Sequence, residues 1–121
     1  MYTVVNNSTI VDQIANGNVN LCTSLVTSMR GLFLANDSFN SDISFWDTSN
    51  TTDMNQMFKG ALIFNQPIGN WDVSNVTDMT GMFKVALYFN QDISAWNTSN
   101  VTDMSKCFLE HIYITMTQEQ Q

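Results

Sequence analysis

The sequence predicts an α/β fold: a right-handed solenoid of four stacked coils, each a short parallel strand plus a short helix, with N- and C-terminal caps. Three observations predict it. First, nearly the same letters recur as "FWDTSNTTDM" ending at Met54, "NWDVSNVTDM" at Met79 and "AWNTSNVTDM" at Met104, a constant step of 25 residues. Second, whole columns keep that step: Trp46, Trp71 and Trp96; Phe39, Phe64 and Phe89; Ile43, Ile68 and Ile93; Phe58, Phe83 and Phe108. Third, a degraded copy precedes them, with Ile14, Leu21, Met29 and Phe33 in the Phe39, Trp46, Met54 and Phe58 columns. The handedness follows from parallel crossovers, which are right-handed in nearly every known case.

A period of 25 lies within the roughly 20–29 residues of leucine-rich-repeat-like units, so each unit reads as one coil. The chain divides into a single domain, 1–121, with a cap at 1–13, repeats at 14–38, 39–63, 64–88 and 89–113, and a C-terminal cap or tail at 114–121. At the front, "YTVV" reads as a strand and "STIVDQIANG" as a short helix, with Ser8 or Thr9 capping it and Gly17 just past its end. Within the third repeat, Trp71 and Val73 alternate with Asp72 and Ser74, the period of a short strand with one buried face. Ser74-Asn75 then reads as the turn. Met79, Met82, Phe83 and Ala86 follow at i, i+3, i+4 and i+7, the spacing of a helical face of about two turns, with Thr77 or Asp78 as N-cap. "LYFNQDIS" leads to the next coil with Phe89 and Ile93 facing inward. One coil alone leaves the Trp, Met and Phe columns half exposed, so neighbours must cover them. Methionine suits such a core because an unbranched thioether adapts to irregular gaps beside aromatic rings. After Phe108 the repeat fails, and "LEHIYITMTQEQQ" reads as a C-terminal cap or a truncated array.

The bulk numbers suit one domain: 121 residues and a hydrophobic fraction of 44% are enough to bury a core. Four Lys+Arg against eleven Asp+Glu give a net charge of −7. This excludes nucleic acid and anionic membrane as expected ligands, because phosphate binding draws on basic side chains. No apolar run approaches the ~18 residues of a membrane span, and "MYTVVNNSTI" has neither the basic region nor the apolar core of a secretion signal. The compartment is left open, with a surface or virion location expected if the chain is part of a larger assembly.

The recurring Phe-Asn, Trp, Ser-Asn-Val-Thr-Asp-Met and Met-Phe elements, as in "FNQDISAWNTSNVTDMSKCF", resemble the bacterial surface protein repeat of the BspA-like leucine-rich-repeat group. The resemblance covers Phe39 to Phe108 strongly and Ile14 to Ser38 weakly. It implies binding or scaffolding, since such repeats occur in bacterial surface proteins and lipoproteins that contact hosts or other cells, and similar ones in proteins of some large DNA viruses.

Each polar column carries a structural and a functional reading. Asn50, Asn75 and Asn100 satisfy the glycosylation sequon, but a ladder of amides bonded to the backbone of adjacent coils is the preferred account. Asp53, Asp78 and Asp103 form a carboxylate column one coil apart, better suited to capping helix starts than to the 6–8 converging oxygens of a calcium site. Thr52, Thr77 and Thr102 form a single rank assigned to turns rather than to ice binding. His111, Cys22 and Cys107 lack the neighbours a zinc or catalytic site needs. The cysteines lie three coils apart, roughly 14 Å, beyond disulfide reach, and are expected to be free thiols. No metal, no cofactor and no catalytic residue is expected.

Two surfaces remain as candidate binding sites. The outward strip Asp47, Asp72 and Asn97 is either solvent-exposed polarity or a protein-binding face. The array end, with apolar Phe108, Ile112, Tyr113 and Ile114 and only "TMTQEQQ" to cover them, is either capped by that tail or docks a partner or second copy. The expected function is therefore a non-enzymatic interaction or structural repeat module. The alternative is a carbohydrate-binding or hydrolytic domain, which would require the Trp46, Trp71 and Trp96 rings as exposed sugar platforms.

Overall fold

The computed structural model describes residues 1–104 and Cys107. Its front follows the sequence-based expectation. Strand β1 (Thr3–Val4) leads to helix α1 (Ile10–Ala15), and β2 (Leu21–Cys22) runs parallel to β1 with Thr3 opposite Leu21 and Val4 opposite Cys22. Thr9 is the N-cap by position, but the helix start is organised by Asn6, whose Oδ1 accepts the Ser8 and Thr9 N–H groups at 3.0 and 3.1 Å. In return the Asn6 N–H donates to Thr9 Oγ1 at 2.9 Å, so three otherwise orphaned amides are satisfied by two side chains bonding reciprocally. Gly17, in the left-handed region at φ 79°, closes the helix and donates its N–H to the Ile14 carbonyl. The helix runs across the expected boundary between cap and first repeat.

Beyond Cys22 the expectation is corrected. The chain does not form the predicted right-handed leucine-rich-repeat-like α/β solenoid of four coils with a short parallel strand plus a short helix in each. Among the described residues α1 is the one helix and β1–β2 the one sheet. The rest is a small domain built from turns. Parallel pairing in the repeats shrinks to single-residue bridges, Ser28 to Asp53, Asp53 to Asp78 and Asp78 to Asp103. These lie in the aspartate column, not at the Trp71–Val73 segment where the alternation predicts a strand.

The backbone hydrogen bonds explain why no helix follows. From Met54 onward alternate amides serve different partners. Met54, Gln56, Phe58 and Gly60 donate to carbonyls of the following repeat, those of Asp78, Thr80, Met82 and Lys84, each at 2.9 Å. The intervening Met57, Lys59 and Ala61 donate three residues back, to Met54, Gln56 and Phe58, at 3.0–3.2 Å. An α-helix would commit the amides beyond its first turn, Phe58 and Gly60 among them, to carbonyls of its own segment and withdraw them from the neighbouring repeat. Two positions per repeat also take left-handed backbone. One column holds Gly31, Gln56 and Gly81 at φ 57–65°, the other Ala35, Gly60 and Val85 at φ 57–75°. Such residues interrupt a right-handed helix wherever they fall.

The side-chain pattern nevertheless survives. Met79, Met82, Phe83 and Ala86 are all buried, as are Trp71 and Val73, so the turns present the same face that a helix would. The core is a double stack of phenylalanines. Phe39, Phe64 and Phe89 form one file with ring centroids 5.6 and 5.9 Å apart, and Phe33, Phe58 and Phe83 the other at 5.5 Å. Rungs of 3.9, 4.2 and 4.3 Å join the files at Phe33–Phe39, Phe58–Phe64 and Phe83–Phe89. Beside them each tryptophan is buried, and its indole N–H donates to a carbonyl of the preceding repeat: Trp46 to Val19, Trp71 to Ile43 and Trp96 to Ile68, at 2.9–3.2 Å. A buried indole needs such a partner, and this one also fastens one repeat to the next.

Candidate functional site

The polar columns divide into those spent on holding repeats together and those left facing solvent. The asparagine ladder belongs to the first class. Asn50, Asn75 and Asn100 donate Nδ2–H to the carbonyls of Ser24, Ser49 and Ser74 in the preceding repeat, at 2.7–2.8 Å. This is the nitrogen a glycan would have to occupy, so the sequons read as structural. Thr52, Thr77 and Thr102 likewise bond backward, each giving both its N–H and its hydroxyl to the carbonyl of the threonine 25 residues earlier. A third ladder escaped the sequence reading. Asn40 and Asn65 accept the N–H of Asn65 and Asn90 through Oδ1 at 2.9 Å, and Gln66 and Gln91 clasp the same asparagines. Its signal was the repeated Phe-Asn pair followed by Gln66 and Gln91.

Asp53 and Asp78 do not cap helices, since none follows; their Oδ1 atoms close short turns by accepting the N–H of Asn55 and Thr80 at 2.9 Å. Arg30 reaches Asp53 at 3.4 Å, and Asn55 Nδ2 donates to Asp78 at 3.1 Å. Burial pushes the Asp78 carboxyl up, but the Thr80 and Asn55 bonds and the Arg30 charge outweigh it, leaving it below its ordinary range. Among the described residues no group of three or more acidic, histidine or cysteine side chains is placed to hold a metal ion.

The predicted strip is different. Asp47, Asp72 and Asn97 are all exposed and occupy equivalent places in successive repeats. Asp47 Oδ1 accepts the N–H and hydroxyl of Ser49 at 2.9 and 2.6 Å, and Asp72 does the same with Ser74 at 3.0 and 2.6 Å. Asn97 accepts the Ser99 N–H at 3.1 Å. Bonds from the serine hydroxyl and N–H hold both carboxyls below their ordinary range, with Asp72 opposing the effect at Asp47 by like-charge repulsion. A second pair was missed: Asp42 and Asp92 make the same turn with Ser44 and Ser94 and are held down by the same bonds. The legible signal was a second Asp-x-Ser in the repeat, broken in the third copy by Pro67 and Gly69.

At the front of this strip Cys22 takes the place of the aspartate. Its half-buried thiol lies 3.5 Å from Ser24 Oγ, which draws its pKa down, while burial pushes Cys107 up to about 12. Both thiols are free. The predicted end interface, Phe108, Ile112, Tyr113 and Ile114, lies outside the described residues, as does His111.

The model of a family described as "Mycoplasma protein of unknown function, DUF285" matches residues 1–118. The chain belongs to the DUF285 family. The DUF285 match takes in the front strand and helix as well as the tandem repeats. No curated protein and no solved structure matches this DUF285 chain. Among its described residues no helix is long and apolar enough to cross a membrane.

Proposed function

We propose that this chain is a non-enzymatic module for protein–protein interaction, with its ordered polar flank as the contact face. The observation that carries this reading is the strip of Asp47, Asp72 and Asn97: three exposed side chains, one repeat apart, each fixed by the same local turn. Two fixed carboxylates and an amide in line present charge and polarity at a defined spacing and lose little side-chain freedom when a partner docks. The resemblance of the repeat to bacterial surface protein repeats supports a contact role at a surface or in a larger assembly. A carbohydrate-binding role would draw on Trp46, Trp71 and Trp96, which are only 3–4% exposed and give their N–H groups to the backbone.

Self-association through Phe108, Ile112, Tyr113 and Ile114 is a second, separable part of the proposal. Immobilised chain incubated with extract of the native source should retain a protein that the Asp47→Asn/Asp72→Asn double variant loses. Retention of nothing, or of the same proteins by both chains, would remove the flank from consideration. Light scattering over a concentration series addresses the end interface: a strict monomer refutes it, whereas association abolished by Ile114→Asp supports it.

A further inference from the structure

At the front of the strip, Tyr2, Leu21, Cys22, Ser24, Phe45 and Asp47 line one open groove of about 450 Å³. Two of its walls are aromatic rings standing in water: Tyr2 is 58% exposed and Phe45 43%. They pair with centroids 5.3 Å apart and a 41° tilt. Phe45 is peculiar to its repeat, since Asn70 and Ala95 fill the equivalent places, and Tyr2 comes from outside the repeats altogether. The groove is therefore a local feature and not a by-product of the array.

Charge defines what fits it. The described cationic side chains, Arg30, Lys59 and Lys84, all belong to the turn segment that follows the Met54 column, and Arg30 is paired with Asp53. The carboxyls of Asp42, Asp47, Asp72 and Asp92 are held down chiefly by their serine bonds, whereas the Arg30 charge helps to lower Asp78. On a chain of net charge −7 this leaves the flank without a neutralising side chain among the described residues. A purely apolar occupant would strip water from the Asp47 carboxylate without return, and an anionic one would be repelled. A lysine or arginine side chain meets both demands, with an apolar stem for the rings and a cation for the carboxylate.

We infer that this groove receives a lysine or arginine side chain from a basic segment of a partner protein, its stem against Tyr2 and Phe45 and its head at Asp47, with Asp72 one repeat further along to take the next cation. The inference rests on the interaction-module reading and adds the chemistry of the partner.

Nuclear magnetic resonance titration of the full chain with a synthetic peptide of alternating arginine and glycine tests it, with the citrulline analogue and a cello-oligosaccharide as parallel arms. Shifts should centre on Tyr2, Cys22, Phe45 and Asp47 with the arginine peptide and be absent with the citrulline one. Asp47→Asn and Phe45→Ala should each weaken binding about threefold, and together about tenfold, while Asp92→Asn changes it by less than about twofold. Tyr2→Ala provides a second ring deletion should Phe45→Ala disturb the spectrum. Shifts spread along the flank with Asp92→Asn as damaging as Asp47→Asn, equal binding of the citrulline peptide, occupation by the sugar, or no binding would each overturn the inference. A partner from the native source that binds the Phe45→Ala/Asp47→Asn chain unchanged would overturn the groove while leaving the interaction reading standing; finding no specific partner would remove both.

Discussion

Phe58 sits between Phe33 and Phe83 in its file of the double aromatic stack, and its removal is a direct test of that core. Its ring is fully buried and lies 5.5 Å from Phe33, 5.5 Å from Phe83, 4.2 Å from Phe64 and 6.2 Å from Trp71. Deleting a buried phenylalanine to alanine costs about 3–5 kcal/mol in transfer and cavity terms. The upper half of that range applies here, because the stack neighbours are held at fixed spacing by backbone bonds between repeats and cannot close the void. Against a total stability of about 5–15 kcal/mol for a domain of ordinary size, Phe58→Ala removes a large share of the fold. Phe58→Leu keeps most of the volume and loses the ring contacts, so it should cost less, about 1–2 kcal/mol. Urea denaturation followed by the emission of the buried tryptophans measures both. Phe33, which has one neighbour in its file where Phe58 has two, should lose less on the same change to alanine. A Phe58→Ala loss below about 1 kcal/mol, or a larger loss at Phe33, would refute the packing argument.

Three further outcomes follow from the geometry. Gly60 and Val85 share one left-handed column; Gly60→Ala should destabilise by about 1–2 kcal/mol and Val85→Gly should stabilise by up to about 1 kcal/mol, and thermal melts showing the same sign for both would contradict the backbone assignment. The Gly60 change is aggravated by space, since an added Cβ would come within 3.3 Å of the Ala35 Cα. The carboxyls of Asp42, Asp47, Asp72 and Asp92 are held below their unfolded values, so their contribution is present above the ordinary aspartate pKa of about 3.9 and is lost as pH falls through the folded values. Replacing all four with asparagine should flatten the acid limb of melting temperature against pH, and an unchanged limb would show that the serine bonds do not act on the ionised form. Alkylation without reductant should label Cys22 in the native chain and Cys107 only after unfolding; a bridged mass would disprove the free thiols.

Much of the arrangement was legible because the period assigns every residue to a column. The burial of Trp71, Phe83 and Ile68, the backward bonds of Asn50 and Asn75, and the front helix all follow from columns or from local signals. The helix after Asp78 was misread because the spacing of Met79, Met82, Phe83 and Ala86 is shared by an α-helix and by a chain of three-residue turns. Gly31 and Gly81 in one column and Gly60 in another were the available warning, since glycine is a poor helix residue. At the candidate site the alignment of Asp47, Asp72 and Asn97 was readable for the same columnar reason. The Tyr2–Phe45 pair was not, because it joins a residue outside the repeats to a position where the repeats disagree, and no period predicts that meeting.

The alternation of amides between near and far partners also bears on how such a protein changes its length over generations. Each middle repeat offers its successor the same backbone donors that it meets in its predecessor, so duplicating one 25-residue unit leaves the backbone ladder and the Asn75 column with equivalent mates. An insertion that is not a multiple of 25 residues would set the Trp, Phe and Asn columns against the wrong neighbours from that point onward. Copy number thus has a fixed quantum, and the reach of the polar flank grows or shrinks by one turn of serine with aspartate or asparagine at each step.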